Sequence, residues 1–306
     1  MKKYEGIFPA FYACYDKNGE VSGEAVERYT EWLIQKGVKG VYVGGSSGEC
    51  IYQNVAERKL VLEHVVKAAC GRLVIIAHVA CNSTRDSMEL AAHAESLGVD
   101  AIAAIPPIYF KLPPYAIAKY WNDISSVAPN TDFIIYNIPQ LAGVALTVPL
   151  LREMLKNPRV IGVKNSSMPT QDIQMFKDEG AKSNREFVVF NGPDEQFIAG
   201  RMIGADGGIG GTYSAMPELF LTLNALFEAG DVVTARALQY DINNVIYKLC
   251  SGTGNLYAMI KEVLRRREGI DLGGVREPLY NMVEGDGAIV AEAVAMIDAA
   301  VAKYVK

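Results

Sequence analysis

Histidine and cysteine are scarce in this 306-residue chain, which has three of the former and five of the latter. The cysteines (Cys14, Cys50, Cys70, Cys81 and Cys250) are scattered, odd in number and never spaced as CxxC. That pattern argues against a disulfide framework and a structural zinc site, and it fits a reducing cytoplasm. His64 and His93 fall inside amphipathic stretches and only His78 closes an apolar run. A metal-dependent aldolase or hydrolase would need several His, Asp or Glu ligands at strand ends, so metal chemistry is disfavoured. No apolar stretch approaches the length of a membrane span, and the opening MKKYEGIFPAF leads into a mixed segment rather than a secretory h-region. A soluble, unprocessed protein with no membrane partner is expected. Excess positive charge is also lacking: the formal net charge is -5, which gives no general attraction for nucleic acid. The one basic cluster, KEVLRRR at Lys261–Arg267, accompanies Ile260, Val263 and Leu264 at helical spacing and reads as the solvated face of a packed helix. No P-loop and no GxGxxG follows an early strand, so nucleotide binding is not expected.

What the chain has is apolar substance and rhythm. Half of its residues are hydrophobic, enough to bury a substantial core. From residue 5 to about 215, short β-branched runs alternate with longer amphipathic stretches, the rhythm of βα units on a parallel sheet. The candidate strands are GIFPAFYA, GVYVGG, LVIIAHV, AIAAIPP, DFIIYNIP, VIGVKNSS, EFVVFNGP and DGGIGGTYS. Eight strands with helices between them predict a closed (β/α)8 TIM barrel rather than an open sheet. The helices fit the gaps. Val26, Tyr29, Trp32 and Leu33 form one stripe ending at Gly37, and a second segment starts with Ser or Thr caps near position 83 and ends at Gly98. After Pro217 the strand signal vanishes, which predicts a barrel over 1–225 and a C-terminal helical extension over 226–306.

In such a barrel the chemistry lies where the strands end. Lys164 closes Val160-Ile161-Gly162-Val163. A lysine in solvent is protonated and a poor nucleophile, whereas burial in general lowers a lysine pKa and frees the lone pair to form a Schiff base with a carbonyl. Taken alone, a lysine closing a strand reads more readily as a surface charge. Tyr136 precedes it by one βα repeat, which predicts similar heights on adjacent strands and a phenol able to shuttle a proton; a core tyrosine is the bland alternative. Tyr109, after Pro106-Pro107, has the same ambiguity. Gly44-Gly45-Ser46-Ser47-Gly48-Glu49 combines a tight turn with hydroxyls and amides that can cradle a carboxylate, and glycine-rich Gly207–Thr212 can hold an anion. Asp194 and Glu195 either complement a helix N-terminus or hydrogen-bond a polyhydroxylated substrate.

GGSSGE near position 45, YNIP at Tyr136 and VIGVKNSS around Lys164 together resemble the N-acetylneuraminate lyase and dihydrodipicolinate synthase family over essentially the whole chain. The resemblance implies a TIM barrel with a helical extension, usually a homotetramer, and a class I aldolase that needs no metal or organic cofactor. It makes Lys164 the imine-forming residue, Tyr136 the proton shuttle, Tyr109 a hydroxyl relay, and Ser46 with Ser47 the site for the pyruvate carboxylate. The synthase branch of the family carries an arginine in a YNxPxR pattern, where this chain has Leu141. Without that guanidinium the second carboxylate of a synthase substrate loses its partner, which argues against lysine biosynthesis. The lyase branch carries Gly-x-Asp-Glu after strand seven, matched by Gly192-Pro193-Asp194-Glu195. Ser166 and Ile209 are further sugar-site positions by the same match, whereas Gly211 stands where the lyases have a serine and Pro193 is a further departure. The expected activity is therefore reversible cleavage of N-acetylneuraminate to N-acetylmannosamine and pyruvate. The alternatives are an aldolase for another 2-keto-3-deoxy sugar acid, a synthase-like enzyme, or a catalytically idle ligand sensor.

Overall fold

A computed structural model describes residues 2–183 and 186–305. The chain runs through β1 (Gly6–Pro9), α1 (Gly23–Gln35), β2 (Gly40–Val43), α2 (Val55–Ala69), β3 (Val74–His78), α3 (Thr84–Ser96), β4 (Ala101–Ala104) and α4 (Pro114–Ser126). It continues with β5 (Asp132–Asn137), α5 (Pro139–Ala142), α6 (Val148–Met154), β6 (Val160–Asn165), α7 (Gln171–Ala181), β7 (Val188–Asn191), α8 (Phe197–Met202) and β8 (Gly207–Gly210). Helices α9 (Pro217–Glu228), α10 (Val232–Cys250), α11 (Leu256–Glu268) and α12 (Asp286–Tyr304) end it. All eight expected strands are present in one sheet of order β1-β8-β7-β6-β5-β4-β3-β2. The two ends of that order meet through a parallel bridge between Ala10 and Tyr42, so the fold is a (β/α)8 TIM barrel.

The local causes are readable. Strands covered on both faces need apolar runs, and β2, β4, β7 and β8 are buried at every position. Helix starts are capped by side chains: Ser22 accepts from the Ala25 amide, Ser83 from the Asp86 amide, and Asn54 forms a reciprocal capping box with Glu57. Gly37 and Gly98 adopt φ 79° and φ 72°, the left-handed turn that stops α1 and α3. The stripe Val26, Tyr29, Trp32 and Leu33 is buried.

Two compact units partition the chain. One comprises the segment up to Glu5 with Val74–Ile209 and carries β3 to β7; the other comprises Gly6–Leu73 and everything from Gly210 onward, with β1, β2 and α9 to α12. Helix α9 (Pro217–Glu228) spans residue 225, and α10 to α12 follow it. The basic run needs correction. Arg265 and Arg266 face water, but Lys261 is buried against Glu49 and the Arg267 side chain is only 8% exposed, bonded to Asp298 and the Ala215 carbonyl. Helical spacing placed the apolar stripe correctly yet gave no sign that an acid lay behind it.

Candidate active site

The lysine-bearing unit is organised by register. Strand β5 pairs with β6 so that Tyr136 lies opposite Lys164, and β6 pairs with β7 so that Lys164 lies opposite Phe190. This alignment depends on an irregularity. Phe133 pairs with Val160, but the next pair is Ile134 with Gly162, so one residue of β6 is skipped. Without the skip Tyr136 would face Val163, and a one-residue slip sends a side chain to the opposite face of a sheet. Gly162 is required there, because a Cβ at that position would run into Val188.

Both side chains are enclosed. Lys164 is 4% and Tyr136 3% exposed, and the Lys164 Nζ stands 4.0 Å from the Tyr136 ring centroid. His78, which closes β3, packs edge-on against the same ring with centroids 6.0 Å apart. That contact braces the Tyr136 ring.

Each of these strands ends in asparagine, and this is what the sequence reasoning missed. Asn137, Asn165 and Asn191 follow Tyr136, Lys164 and Phe190 in register. Asn137 donates to Asn165 Oδ1 at 2.7 Å and accepts from the Leu146 amide at 2.9 Å. The Ser167 hydroxyl lies 3.0 Å from Asn165 Oδ1 and 2.6 Å from Asp172 Oδ2. Buried amides and a hydroxyl bonded to one another hold the ends of β5 and β6 as a unit, while the Asn191 amide donates to the Pro193 carbonyl. The recurring signal was in plain view in IIYN, IGVKN and FVVFN.

Around this core the other positions of the lysine unit sort themselves. The Gly192 amide donates to the Asn165 carbonyl at 2.8 Å, and a Cβ on Gly192 would collide with the Ser166 hydroxyl. Glycine there lets Ser166 sit against the end of β7. Asp194 is buried and Glu195 half-buried in the short 3-10 turn Asp194–Gln196. Tyr109 lies elsewhere: it is 89% exposed at φ 82°, its ring edge-on to Phe110 at 4.9 Å. It lines a surface groove of about 640 Å³ with Asn82, Phe110 and Tyr115, to which Lys164 and Tyr136 do not contribute.

The serine turn belongs to the other unit. Gly44 has φ 72°, the Gly48 amide donates to the Gly45 carbonyl at 3.1 Å, and the Glu49 amide to the Ser46 carbonyl at 2.9 Å. Ser46 is half-buried and Ser47 buried. Ile209 is buried in β8, and just beyond it a Cβ at Gly211 would stand 3.2 Å from the Ser47 hydroxyl and 3.6 Å from that of Tyr12. The missing side chain at 211 therefore leaves Ser47 room at the end of β8. Among the described residues no group of three or more His, Cys, Asp or Glu is placed to hold a metal ion, and no helix is long and apolar enough to cross a membrane.

Comparison with known proteins is consistent with this geometry. The chain is 64% identical over 304 residues to the N-acetylneuraminate lyase of Mediterraneibacter gnavus, covering 99% of this chain and 96% of that one. It is 34% identical over 300 residues to the N-acetylneuraminate lyase of Rhizobium meliloti, covering 96% of each. A solved structure, the catalytic lysine mutant of Ruminococcus gnavus sialic acid aldolase, superposes with a TM-score of 0.97 at 63% identity, covering 99% of this chain and 98% of that one. The pattern of the Dihydrodipicolinate synthetase family matches residues 3–296, and with it the chain belongs to that family.

Proposed function

We propose that this protein is a class I aldolase that reversibly cleaves N-acetylneuraminate to N-acetylmannosamine and pyruvate. The observation that carries the reading is the buried Lys164 amine, in register with Tyr136 and 4.0 Å from its ring centroid. The relatives' names supply the substrate. In the proposed reaction the Lys164 amine attacks the C2 ketone of the open-chain sugar. The C2 oxygen takes up one solvent proton and leaves as water, which gives a protonated imine; that proton is returned when the imine is finally hydrolysed. Electrons of the C3–C4 bond flow into that cation as the bond breaks, and the C4 hydroxyl proton passes to the Tyr136 oxygen while the Tyr136 hydroxyl hands its own proton to the substrate carboxylate, from which it reaches C3. The aldehyde departs, C3 of the enamine is protonated, and water releases pyruvate from Lys164.

The ring face beside the nitrogen has a second use: a protonated imine there is a cation lying against the negative face of a phenol ring. Ser46 and Ser47 hold the pyruvyl carboxylate, while Ser166, Gly192, Asp194, Glu195 and Ile209 form the sugar subsite, in which the two acids accept hydrogen bonds from the hydroxyl-rich tail. Leu141, 63% exposed where a synthase has arginine, offers no partner to a second carboxylate. A cytoplasmic homotetramer engaged in sialic acid breakdown completes the proposal. Tyr109, the relay residue, stands with Phe110 and Tyr115 in an exposed aromatic patch of the kind a second copy of the chain covers.

The test is chemical trapping. Borohydride added during turnover with pyruvate should reduce the imine and leave a pyruvate-derived mass on Lys164, absent from Lys164→Ala. An adduct elsewhere, or none, refutes the mechanism. Turnover of a shorter 2-keto-3-deoxy acid without turnover of sialic acid reassigns the substrate.

A further inference from the structure

The Glu49 side chain has no exposed surface and that of Lys261 is only 2% exposed, and they meet at 2.9 Å. Glu49 ends the serine turn with φ 53°, a left-handed backbone that non-glycine residues seldom adopt. Its other carboxylate oxygen accepts the Arg276 amide at 2.9 Å, and the Lys261 amine also donates to the Gly274 carbonyl at 2.6 Å. The Tyr15 ring is flanked by the Lys261 amine at 4.9 Å and the Arg276 guanidinium at 4.7 Å. One acid of the turn is thus gripped by α11 and by the segment between α11 and α12, more than 200 residues later in the chain.

We infer that the buried Glu49–Lys261 pair is a positioning device by which the helical extension sets the conformation of the Ser46-Ser47 turn for binding a keto-acid carboxylate. The inference rests on the carboxylate role proposed above for that turn. Two observations separate it from ordinary packing. A buried ion pair is seldom a net source of stability, since desolvation cancels most of the attraction and an apolar pair of similar volume does as well. Burial lowers the Lys261 pKa, with the Glu49 charge opposing it. The pair is also joined to the turn by a single residue in a strained conformation: Glu49 holds its left-handed φ while its own amide closes the turn onto the Ser46 carbonyl. Releasing the carboxylate lets that residue relax, and Ser46 and Ser47 move with it.

The experiment compares the parent enzyme, Glu49→Gln, Lys261→Met and the double variant, in the direction of synthesis from pyruvate and N-acetylmannosamine. Each single variant strands a buried partner and is expected to lose stability; the double variant removes both charges and is expected to melt close to the parent. In the double variant KM for pyruvate should rise roughly 10-fold or more, within the ~10²-fold that a 1 Å misplacement costs, with KM for the amino sugar unmoved. A folded double variant with an unchanged pyruvate KM overturns the inference. So does a parallel loss in both KM values and kcat, which a general loosening produces. A double variant that does not fold overturns it too, because the pair then determines the fold and not the turn. The borohydride adduct of the parent is measured alongside: its absence refutes the Schiff-base reading, whereas a normal adduct with an unmoved KM refutes this inference alone.

Discussion

At the scale of single residues, Tyr136 has two separable parts. Its ring lies against the Lys164 amine and is braced by His78, while its hydroxyl is the group assigned to proton transfer. Tyr136→Phe keeps the ring and the packing, so imine formation should survive and trapping should still label Lys164. Turnover should fall by about 10²–10⁴-fold, the usual contribution of a positioned acid-base group. Tyr136→Ala should lose both labelling and turnover. A Tyr136→Phe variant that turns over as fast as the parent would remove the hydroxyl from the proton-transfer step. Lys164 and Tyr136 were legible in the sequence because each closes an apolar run one βα repeat apart, and strand ends are where a barrel exposes chemistry. The asparagines beside them were not singled out, because an asparagine at a strand end is ordinary turn chemistry until its partner on the next strand is known.

At the scale of elements, what could be read was the position of strands and helices, and what could not was register. The skipped residue between β5 and β6 puts Lys164 opposite Tyr136, and no periodicity of apolar residues announces it. Long-range charge pairs escaped for a similar reason. Lys261 looked like one of a run of solvated cations, since the acid that buries it is more than 200 residues away. Helices α6 and α7 show such a pair in its simplest form. Arg152 grips Glu179 with two nitrogens at 2.7 and 2.8 Å, and Lys182 adds a contact at 2.5 Å. The Arg152 guanidinium, then the Lys182 amine, hold the Glu179 carboxyl well below its ordinary 4.5, down to about 2. A carboxyl depressed on folding contributes stability that is complete above its unfolded value and is lost as the pH falls toward the folded one. Glu179→Gln should therefore unfold at lower denaturant than the parent at pH 7. The gap should begin to narrow near pH 4.5 and keep closing toward pH 2. A gap independent of pH between 6 and 3 would show that the side chain acts through packing alone.

At the scale of the whole molecule, fold class was legible because eight β-branched runs alternating with amphipathic stretches leave few arrangements. The extension was legible only as helices, since sequence gives their apolar stripes but not the surfaces those stripes cover. In the structure α12 packs against α9, α10 and α11, burying Val290, Ala293, Ile297 and Ala300 on one face. That pattern makes α12 part of the core of its unit rather than an appendage, and the difference is measurable. Ile297 is fully enclosed, so Ile297→Ala should cost about 2–5 kcal/mol of unfolding free energy through lost transfer energy and the cavity left behind. On the same helix Glu292 is 61% exposed and paired with Lys248 at the surface, so Glu292→Ala should cost no more than about 1 kcal/mol. Urea unfolding of the two variants against the parent decides the matter. If the Ile297 change is as mild as the Glu292 change, α12 frays independently, and its apolar face contributes little to holding the unit together.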